Sequence, residues 1–374
     1  MINMALREKI LRWADSWTRI PVFGLDISDL SIKYLQFRPD GKGPKPDIFG
    51  EIPVPEAVIE NGKIKKEDEL EKILSGWLAK EWGKFRSAFA VVSLPEEEGF
   101  LRLIQIPKIK RDEVANAIRW EIEGNIPLPL NELVYDYEVV EPPDSNFDHL
   151  DVVISAFPKT VVESYLGVLR RAGLKVLAME VESQAIVRSL LPYLTRSGEA
   201  KIIVDIGRTR TGIIIFAGGA IVYTTTVNFG GKILEENLMR NLNISMEEAV
   251  AVKNGKGLDK NAYEGGIFDA LLPALSALAD ELKKTITFYQ THAKHTHRVD
   301  GLIDSIILIG GDGNLLGLAT YLSGALKVRT VMGDFLSVLS SSPSFPIPAL
   351  PRNKSLAYAT AIGLGLRNVK TGNQ

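Results

Sequence analysis

The chain has 374 residues, of which 45% are hydrophobic and 24% charged, and this length favours two domains because it exceeds the usual size of one compact core. Its formal net charge of -2 disfavours nucleic acid as the main partner, since nucleic-acid binding normally needs a clustered basic face. The absence of cysteine excludes disulfides, thiolate nucleophiles and zinc sites with thiolate ligands.

Residues 4–19 predict an amphipathic helix whose apolar residues recur at helical spacing. These residues are Leu6, Ile10, Trp13 and Trp17. The helix could dock on its own domain, or it could bind a membrane surface or a partner. The sequence has no run of about 18 to 20 apolar residues and no apolar signal-peptide core at its N-terminus, so we expect a cytosolic protein.

Two apolar runs joined by a short polar turn follow, in VFGLDISDLSIKYLQFRPDG at residues 22–41. Asp26 stands at the end of the first run, and we interpret the segment as a β-hairpin that holds a ligand at its turn. The stretch KIIVDIGRTRTGIIIFAGG at 201–219 repeats this pattern with Asp205. Two such hairpins in separate halves predict a duplicated fold with a cleft between the halves.

The rest of the chain alternates apolar strand-like runs with helical patterns, which predicts an α/β fold. In the first half, helices are predicted over 67–83, 111–124 and 159–172. In the second half, helices are predicted over 232–241, 245–253, 268–294 and 314–325, followed by a last helix in SLAYATAIGLGLR.

A glycine turn in the second half adds a third candidate ligand-binding element. The stretch IGGDGNLLGL at 309–318 passes from a strand through glycines into a helical pattern. Backbone N–H groups at such a turn attract anions and nucleotides, because they are free donors. This glycine pattern alone is a weak signal, but two Asp hairpins followed by a glycine turn indicate a nucleotide site.

These elements resemble the actin-like ATP-binding fold, and within it the PilM family of type IV pilus assembly proteins, relatives of the cell-division protein FtsA. Three further stretches carry the resemblance: AIRWEIEGNIPLPLNELVYDYEVV at 117–140, RRAGLKVLAMEVESQAIVRSL at 170–190 and AIGLGLR at 361–367. The resemblance runs from about Gly24 to Arg367 and is specific to PilM within the fold.

The resemblance implies an α/β, actin-like bilobed fold made of duplicated ribonuclease-H-like domains, with an FtsA-like subdomain inserted in the first lobe. The implied division has an N-terminal amphipathic extension over 1–20 and a first lobe over 21–195, including the inserted subdomain at about 97–175. The second lobe covers 196–345. The segment over 346–374 contains a C-terminal helix that returns to the first lobe and a tail.

The resemblance also implies ATP and Mg²⁺ in the cleft between the lobes. The implied cofactor-binding residues are Asp26, Ser28, Ser31, Lys33, Asp205, Gly207, Arg208, Thr209, Thr211, Glu235, Lys253, Gly310, Gly311, Asp312 and Gly313. Asp26 and Asp205 would hold Mg²⁺ through water, because this ion keeps much of its hydration shell. The glycines of the 310–313 turn would face the adenine and ribose, with Lys253 near the base.

The first phosphate loop departs from the family pattern. Where that pattern reads Asp-Ile-Gly-Ser-Ser-Ser-Val-Lys, this chain has DISDLSIK at 26–33. Ser28 replaces the glycine that lets phosphate approach the backbone, and Asp29 places a negative charge where a hydroxyl is usual. The loop is therefore predicted to be incomplete.

The second lobe departs from the pattern as well, because Glu235 stands where threonine is common. Arg208 and Arg210 could offset the loss by facing phosphates, although arginines in a surface turn are more often solvated. We therefore expect weak nucleotide binding, and weak or no ATP hydrolysis because no positioned base for water is evident.

The function implied by the resemblance is that of a cytoplasmic ATP-binding scaffold in type IV pilus or related type II secretion assembly. It would bind the N-terminal cytoplasmic tail of a PilN-like inner-membrane protein, which would bring it to the membrane. The predicted partner-binding residues are Arg119, Trp120, Glu121, Ile126 and Leu128. An extended tail could dock there by strand addition or pocket filling, and the alternative for Trp120 is the core of the inserted subdomain.

Other functions and contacts stay open. A sugar or small-metabolite kinase of the same fold would need a carboxylate base in a recognisable substrate-pocket motif, which the sequence does not show. An FtsA-like filament former would reach the membrane through a C-terminal amphipathic helix, whereas the C-terminal NVKTGNQ is polar. Self-association, contact with other pilus assembly proteins and membrane contact through the N-terminal helix are further possibilities.

Overall fold

The structure is a computed structural model, and it describes most of the chain. The described residues are 21–40, 43–87, 89–140, 148–194, 200–259, 265–292, 301–335 and 350–367. The predicted N-terminal helix and the polar C-terminal tail lie outside these residues.

The first half of the chain begins with a hairpin and continues with alternating strands and helices. In chain order its elements are β1 (Val22–Ile27), β2 (Ser31–Asp40), β3 (Gly43–Pro53), β4 (Ile59–Glu60), β5 (Lys63–Ile64), α1 (Glu67–Glu81), β6 (Phe89–Leu94), β7 (Phe100–Pro107), α2 (Arg111–Asn125), β8 (Leu133–Val140), β9 (His149–Pro158), α3 (Lys159–Arg171), β10 (Lys175–Val181) and α4 (Glu182–Leu194). The three helices predicted before β10 are confirmed as α1, α2 and α3.

The second half repeats this alternation. Its elements are β11 (Lys201–Ile206), β12 (Thr211–Ala217), β13 (Ala220–Val227), α5 (Gly231–Leu242), α6 (Met246–Lys256), α7 (Gly266–His292), β14 (Ser305–Ile309), α8 (Leu318–Leu326), β15 (Thr330–Met332), α9 (Arg352–Ser355) and α10 (Ala359–Leu366). In the described part of the chain, no helix combines the length and apolarity needed to cross a membrane.

The start predicted for the helix over 314–325 is wrong. Residues Asp312–Asn314 form a 3-10 turn instead, and α8 begins at Leu318. Gly317 precedes the helix with a φ of 88°, in the left-handed region that a right-handed helix cannot include. The helical pattern read from the sequence therefore started one turn too early.

Each half contains a five-stranded sheet, and the two sheets have the same connectivity. Their strand orders are β3–β2–β1–β6–β10 and β13–β12–β11–β14–β15. In each order the first three strands are antiparallel and the remaining neighbours are parallel. Strands β1 and β11 are therefore equivalent, and the turns that follow them occupy equivalent edges of the two sheets.

A third, antiparallel sheet of order β7–β9–β8 is inserted in the first half. Helix α2 covers it through Ile118 and Ile122, which pack in a separate core with Val152 of β9. Helix α3 belongs instead to the main first-lobe core, through Tyr165 and Leu169. Strand β8 is an edge strand of the inserted sheet.

Helix α10 returns to the first lobe and packs against α4, β1 and β2. All of its residues are buried, which requires small side chains at the closest approaches. A Cβ on Gly363 would lie 1.7 Å from the Ala185 carbonyl oxygen, and one on Gly24 would lie 2.2 Å from that of Ala361. The glycines of AIGLGLR thus allow close packing of the helix on the sheet.

Candidate functional site

A cleft of about 310 Å³ lies between the turns of the two hairpins. Its walls come from both lobes, from the glycine turn after β14 and from the segment that leads into α10. The predicted cofactor-binding residues that line it are Asp26, Ser28, Ser31, Lys33, Asp205, Gly207, Arg208, Thr209, Gly310, Gly311 and Asp312. The fold therefore brings together the three elements that the sequence pointed to.

Four predicted cofactor-binding residues are not among the described residues that line this cleft: Thr211, Glu235, Lys253 and Gly313. Thr211 is fully buried and donates a hydrogen bond from Oγ1 to the Phe229 carbonyl at 2.8 Å. Lys253 is also buried, where its Nζ lies 2.8 Å from Glu235 Oε1 and donates to Asp312. These contacts are internal to the second lobe, so the assignment of the four residues to nucleotide binding stays a prediction.

The turn after β1 satisfies its own polar groups. Ser28 donates from its backbone N–H and from Oγ to the Ser31 carbonyl, at 3.0 and 2.8 Å. Lys33 Nζ donates to Ser31 Oγ at 2.7 Å. With serine at position 28, the turn is closed by local hydrogen bonds, and Lys33 is held beside it.

Asp26 is buried at the end of β1 with two neighbours that favour its charged form. It lies opposite Lys33 in the β1–β2 register, and Ser93 donates to its Oδ1 at 3.1 Å. Burial raises the pKa of Asp26, while Lys33 and the Ser93 hydrogen bond oppose that rise. Lys33 and Ser93 thus partly offset the cost of burying the Asp26 carboxylate.

Asp205 is the equivalent residue at the end of β11, and it lies opposite Gly212 instead of a cation. Burial raises the pKa of Asp205 to about 7, and the nearby Asp26 carboxylate adds to the rise. Gly310 has a φ of +85°, and a Cβ there would lie 2.4 Å from Asp205 Oδ1. A buried carboxylate whose proton affinity is raised further by a neighbouring carboxylate forms a site suited to a bound cation.

Glu182 is a cleft residue that the sequence analysis missed. It is the first residue of α4, directly after β10, and it lines the cleft with Glu96 and Glu97. Burial raises its pKa well above the usual range, and Asp26 and Glu97 add to the effect. A glutamate that opens a helix after a buried strand, in MEVESQ, was the signal that could have found it.

Arg210 is not solvated, contrary to the usual behaviour of arginines in surface turns. From the second lobe its Nη2 lies 2.9 Å from Asp29 Oδ1, and its Nε lies 2.8 Å from Glu97 Oε1. Asp29 also accepts the backbone N–H groups of Asn61 and Gly62, at 3.2 and 3.1 Å. Asp29, the acidic residue of the turn after β1, therefore anchors an ion pair between the two lobes.

A separate open groove of about 890 Å³ lies on the inserted sheet, beside the start of β8. Its lining residues are Arg119, Glu123, Ile126, Pro127, Leu128, Pro129, Leu130, Asn131 and Tyr135. Of the predicted partner-binding residues, Arg119, Ile126 and Leu128 line the groove, whereas Trp120 and Glu121 do not. Trp120 is 75% exposed, so the alternative that it belongs to the subdomain core is wrong.

Comparison with known proteins found one matching family model and several solved structures with a similar fold. The family model described as type IV pilus assembly protein PilM matches residues 24–369. A solved structure of a PilM-PilN type IV pilus biogenesis complex matches with a TM-score of 0.78 and 25% identity, covering 94% of this chain and 100% of that chain.

More distant structures share the fold alone. The ethanolamine utilization protein EutJ from Carboxydothermus hydrogenoformans has a TM-score of 0.54 and 18% identity, covering 97% of this chain and 98% of its own. MreB5 of Spiroplasma citri, bound to ADP, has a TM-score of 0.53 and 12% identity, covering 92% and 95%. With the two equivalent sheets, these matches confirm the predicted actin-like bilobed fold, and the family match shows that the chain belongs to the PilM family of type IV pilus assembly proteins.

Proposed function

We propose that this chain is a cytoplasmic scaffold of type IV pilus assembly that binds the N-terminal tail of a PilN-like inner-membrane protein. The observation that carries the proposal is the open groove beside the edge strand β8, on the subdomain inserted in the first lobe. The PilM relative of known structure is described as a complex with PilN. Binding to such a tail would hold the scaffold at the inner membrane.

The groove has the chemistry to bind an extended peptide. Its floor is apolar, with Ile126, Leu128 and Leu130, and the prolines at 127 and 129 lie in a lining segment without helix or strand. Arg119 lies at the rim, where its Nε donates to the Tyr135 hydroxyl at 3.4 Å. An extended tail could place apolar side chains on the floor while its backbone pairs with the free edge of β8.

The test is binding of a PilN-like tail peptide, measured by fluorescence anisotropy at fixed salt. We expect Arg119→Glu to weaken binding by about 1 to 3 kcal/mol, the range for a charge-assisted hydrogen bond, because Arg119 would pair with a tail carboxylate or carbonyl. The Tm should change little, since Arg119 is exposed. The control is Arg240→Glu, which reverses the charge of an exposed arginine on α5 of the other lobe.

Unchanged peptide affinity in Arg119→Glu would move the binding groove elsewhere on the first lobe. Equal losses in Arg119→Glu and Arg240→Glu would show that net charge, not the groove, determines binding. Leu128→Asp gives an independent check, because it places a charge on the apolar floor and should abolish measurable binding if the tail fills the groove.

We further propose that the scaffold binds ATP with Mg²⁺ in the interlobe cleft. The residues present fit these groups, because Asp26 and Asp205 supply carboxylates for a hydrated Mg²⁺ and the volume of the cleft lies at the lower end of the range for small-molecule sites. The Mg²⁺ would neutralise charge between nucleotide and carboxylates. The locally closed turn after Asp26 favours weak binding.

A further inference from the structure

The inserted sheet leaves the outer edge of β8 open beside the groove. Its strand order is β7–β9–β8, so β7 and β8 are its two edge strands. Strand β7 packs against β13 of the second lobe. In the part of the chain that the structure describes, no strand pairs with the outer edge of β8. The unpaired backbone groups of such an edge can accept one more strand.

The side chains of β8 alternate between the two faces of the inserted sheet. Leu133, Tyr135 and Tyr137 face helix α2 and pack in the core of the subdomain, and Tyr135 also lines the groove. Asp136 and Glu138 lie on the opposite face and are exposed. A strand added to this edge would therefore place alternate side chains on the groove side and the others beside the two carboxylates.

The two carboxylates lack a cationic partner of their own. Asp136 Oδ1 accepts the backbone N–H of Tyr137 at 2.9 Å, and neither Asp136 nor Glu138 forms an ion pair with another described residue. Like charges directly opposite each other destabilise paired strands, whereas opposite charges stabilise them. The edge thus disfavours an acidic strand, including β8 of a second copy of this chain, and favours a cationic one.

Building on the proposed binding of a PilN-like tail, we infer that the segment bound at β8 is cationic and alternating. Lysine or arginine at every second position would lie beside Asp136 and Glu138, and the apolar side chains between them would enter the groove. The position of the partner favours the same chemistry, because cytoplasmic segments next to a membrane-spanning helix carry an excess of lysine and arginine. The charge of the edge and the location of the tail are independent reasons for one kind of ligand.

The experiment measures binding of fluorescein-labelled synthetic peptides to the full chain by anisotropy at fixed ionic strength. Each peptide has eight residues, the length of β8. The first alternates leucine with lysine, and the second alternates leucine with glutamate. The third has the composition of the first, with its leucines and lysines in separate blocks. We expect the first peptide to bind about fivefold or more tightly than either of the others.

Charge reversal at the edge tests the role of the two acidic residues. Asp136→Lys combined with Glu138→Lys should weaken binding of the leucine–lysine peptide by about 5- to 30-fold and make the leucine–glutamate peptide the tighter ligand. The matched control is Glu236→Lys combined with Asp280→Lys, at exposed positions on α5 and α7 of the second lobe. It changes the net charge equally and should leave both affinities within about twofold, because salt screens distant exposed charges.

A second variant serves if the charge-reversed chain does not fold. Asp136→Asn combined with Glu138→Gln removes both charges with little change in side-chain shape, and it should abolish the preference for the lysine peptide over the glutamate peptide. A preference that persists in this variant would overturn the inference, because the charge selection would then come from other residues.

Several outcomes would overturn the cationic assignment in the wild-type chain. They are no binding of the leucine–lysine peptide, equal binding of the lysine and glutamate peptides, and equal losses in the charge-reversed variant and its control. Equal binding of the alternating and blocked peptides would also overturn it, because charge would then act without strand addition.

Leu128→Asp separates failure of this inference from failure of the proposed function. If this variant loses the PilN-like tail while the wild-type chain shows no preference among the synthetic peptides, the groove stands as the tail site and the inference alone is wrong. If the tail binds Leu128→Asp as tightly as the wild type, the proposed groove and this inference fail together.

Discussion

The β1–β2 and β11–β12 hairpins occupy equivalent places in two sheets of the same connectivity, yet their aspartates have different surroundings. Asp26 lies opposite Lys33 and accepts a hydrogen bond from Ser93. Asp205 lies opposite Gly212, with Gly310 packed closely against it. The first hairpin therefore stabilises the charge of its buried aspartate with its own neighbours. The charge of Asp205 in the second hairpin depends more on a cation bound in the cleft.

This difference matches the departure of the first turn from the family pattern. The turn after Asp26 is closed by Ser28 and Ser31, and its acidic residue Asp29 pairs with Arg210 of the opposite turn. The second lobe supplies the cation, Arg210, and the carboxylate whose burial is offset by fewer neighbours, Asp205. Substitutions in the second hairpin should therefore have the larger effects on ligand binding and on the pH dependence of stability.

The largest expected effect is the pH dependence of stability caused by Asp205. In the unfolded chain the Asp205 carboxyl has a pKa near 3.8, whereas in the folded chain its pKa is about 7. The folded state therefore binds more protons between these values, and stability falls as pH rises from about 4 to about 7. The loss is at most about 4 kcal/mol, and less because Asp205 is partly exposed to the cleft.

Urea unfolding at pH 5 and pH 8, without nucleotide or Mg²⁺, measures this effect. Asp205→Asn should reduce the difference in unfolding free energy between the two pH values and should be more stable than wild type at pH 8. Asp26→Asn should reduce it less, because Lys33 and Ser93 already favour the charged form of Asp26. The same reduction in both variants would remove the proposed contrast between the hairpins.

The next effect concerns Mg-dependent nucleotide affinity. Asp205→Ala should remove most of it, a loss of about 10- to 100-fold as for other residues that hold a metal's outer ligands, while the fold stays intact. Asp26→Ala should cost less, since its loop is already altered and Lys33 remains. Calorimetric titration with ATP, with and without Mg²⁺, measures both, and equal affinity in wild type and Asp205→Ala would exclude this cleft as the site.

Much of the fold and part of the site could be predicted from local patterns. Aspartates at strand ends and glycines after a strand mark turns that the sheet topology brings together. The Arg210 pair with Asp29 could not be predicted, because it joins residues far apart in the chain whose meeting depends on how the lobes pack. The family resemblance implies that Thr211 binds nucleotide, whereas the hydrogen bond from its hydroxyl to the Phe229 carbonyl is a contact that only the tertiary structure sets.

A smaller effect is expected at the glycine that lies against Asp205. Gly310→Ala should destabilise the chain by about 1 to 3 kcal/mol, because alanine disfavours a φ of +85° and its Cβ would lie 2.3 Å from the Ile206 carbonyl oxygen and 2.4 Å from Asp205 Oδ1. The matched control is Gly311→Ala, where the nearest atom to a new Cβ is 3.8 Å away. Thermal unfolding compares the two, and equal destabilisation would show that the left-handed φ and the close contacts of Gly310 with Ile206 and Asp205 are unimportant.

The smallest effect is expected at the exposed ion pair between the lobes. Lys232 Nζ lies 3.0 Å from Glu56 Oε1, and the two side chains are 40% and 74% exposed. Lys232→Gln should therefore change the unfolding free energy by less than about 1 kcal/mol, and added salt should remove the difference, because water and ions screen exposed charges.

Arg210→Gln should lower the unfolding free energy by more than Lys232→Gln and respond less to salt, because it leaves the largely buried Asp29 and Glu97 without their cation. Urea unfolding of both variants at low and high salt makes the comparison. A larger cost at Lys232 than at Arg210 would mean that the lobes are joined at the exposed pair, and that the buried pair contributes little to holding them together.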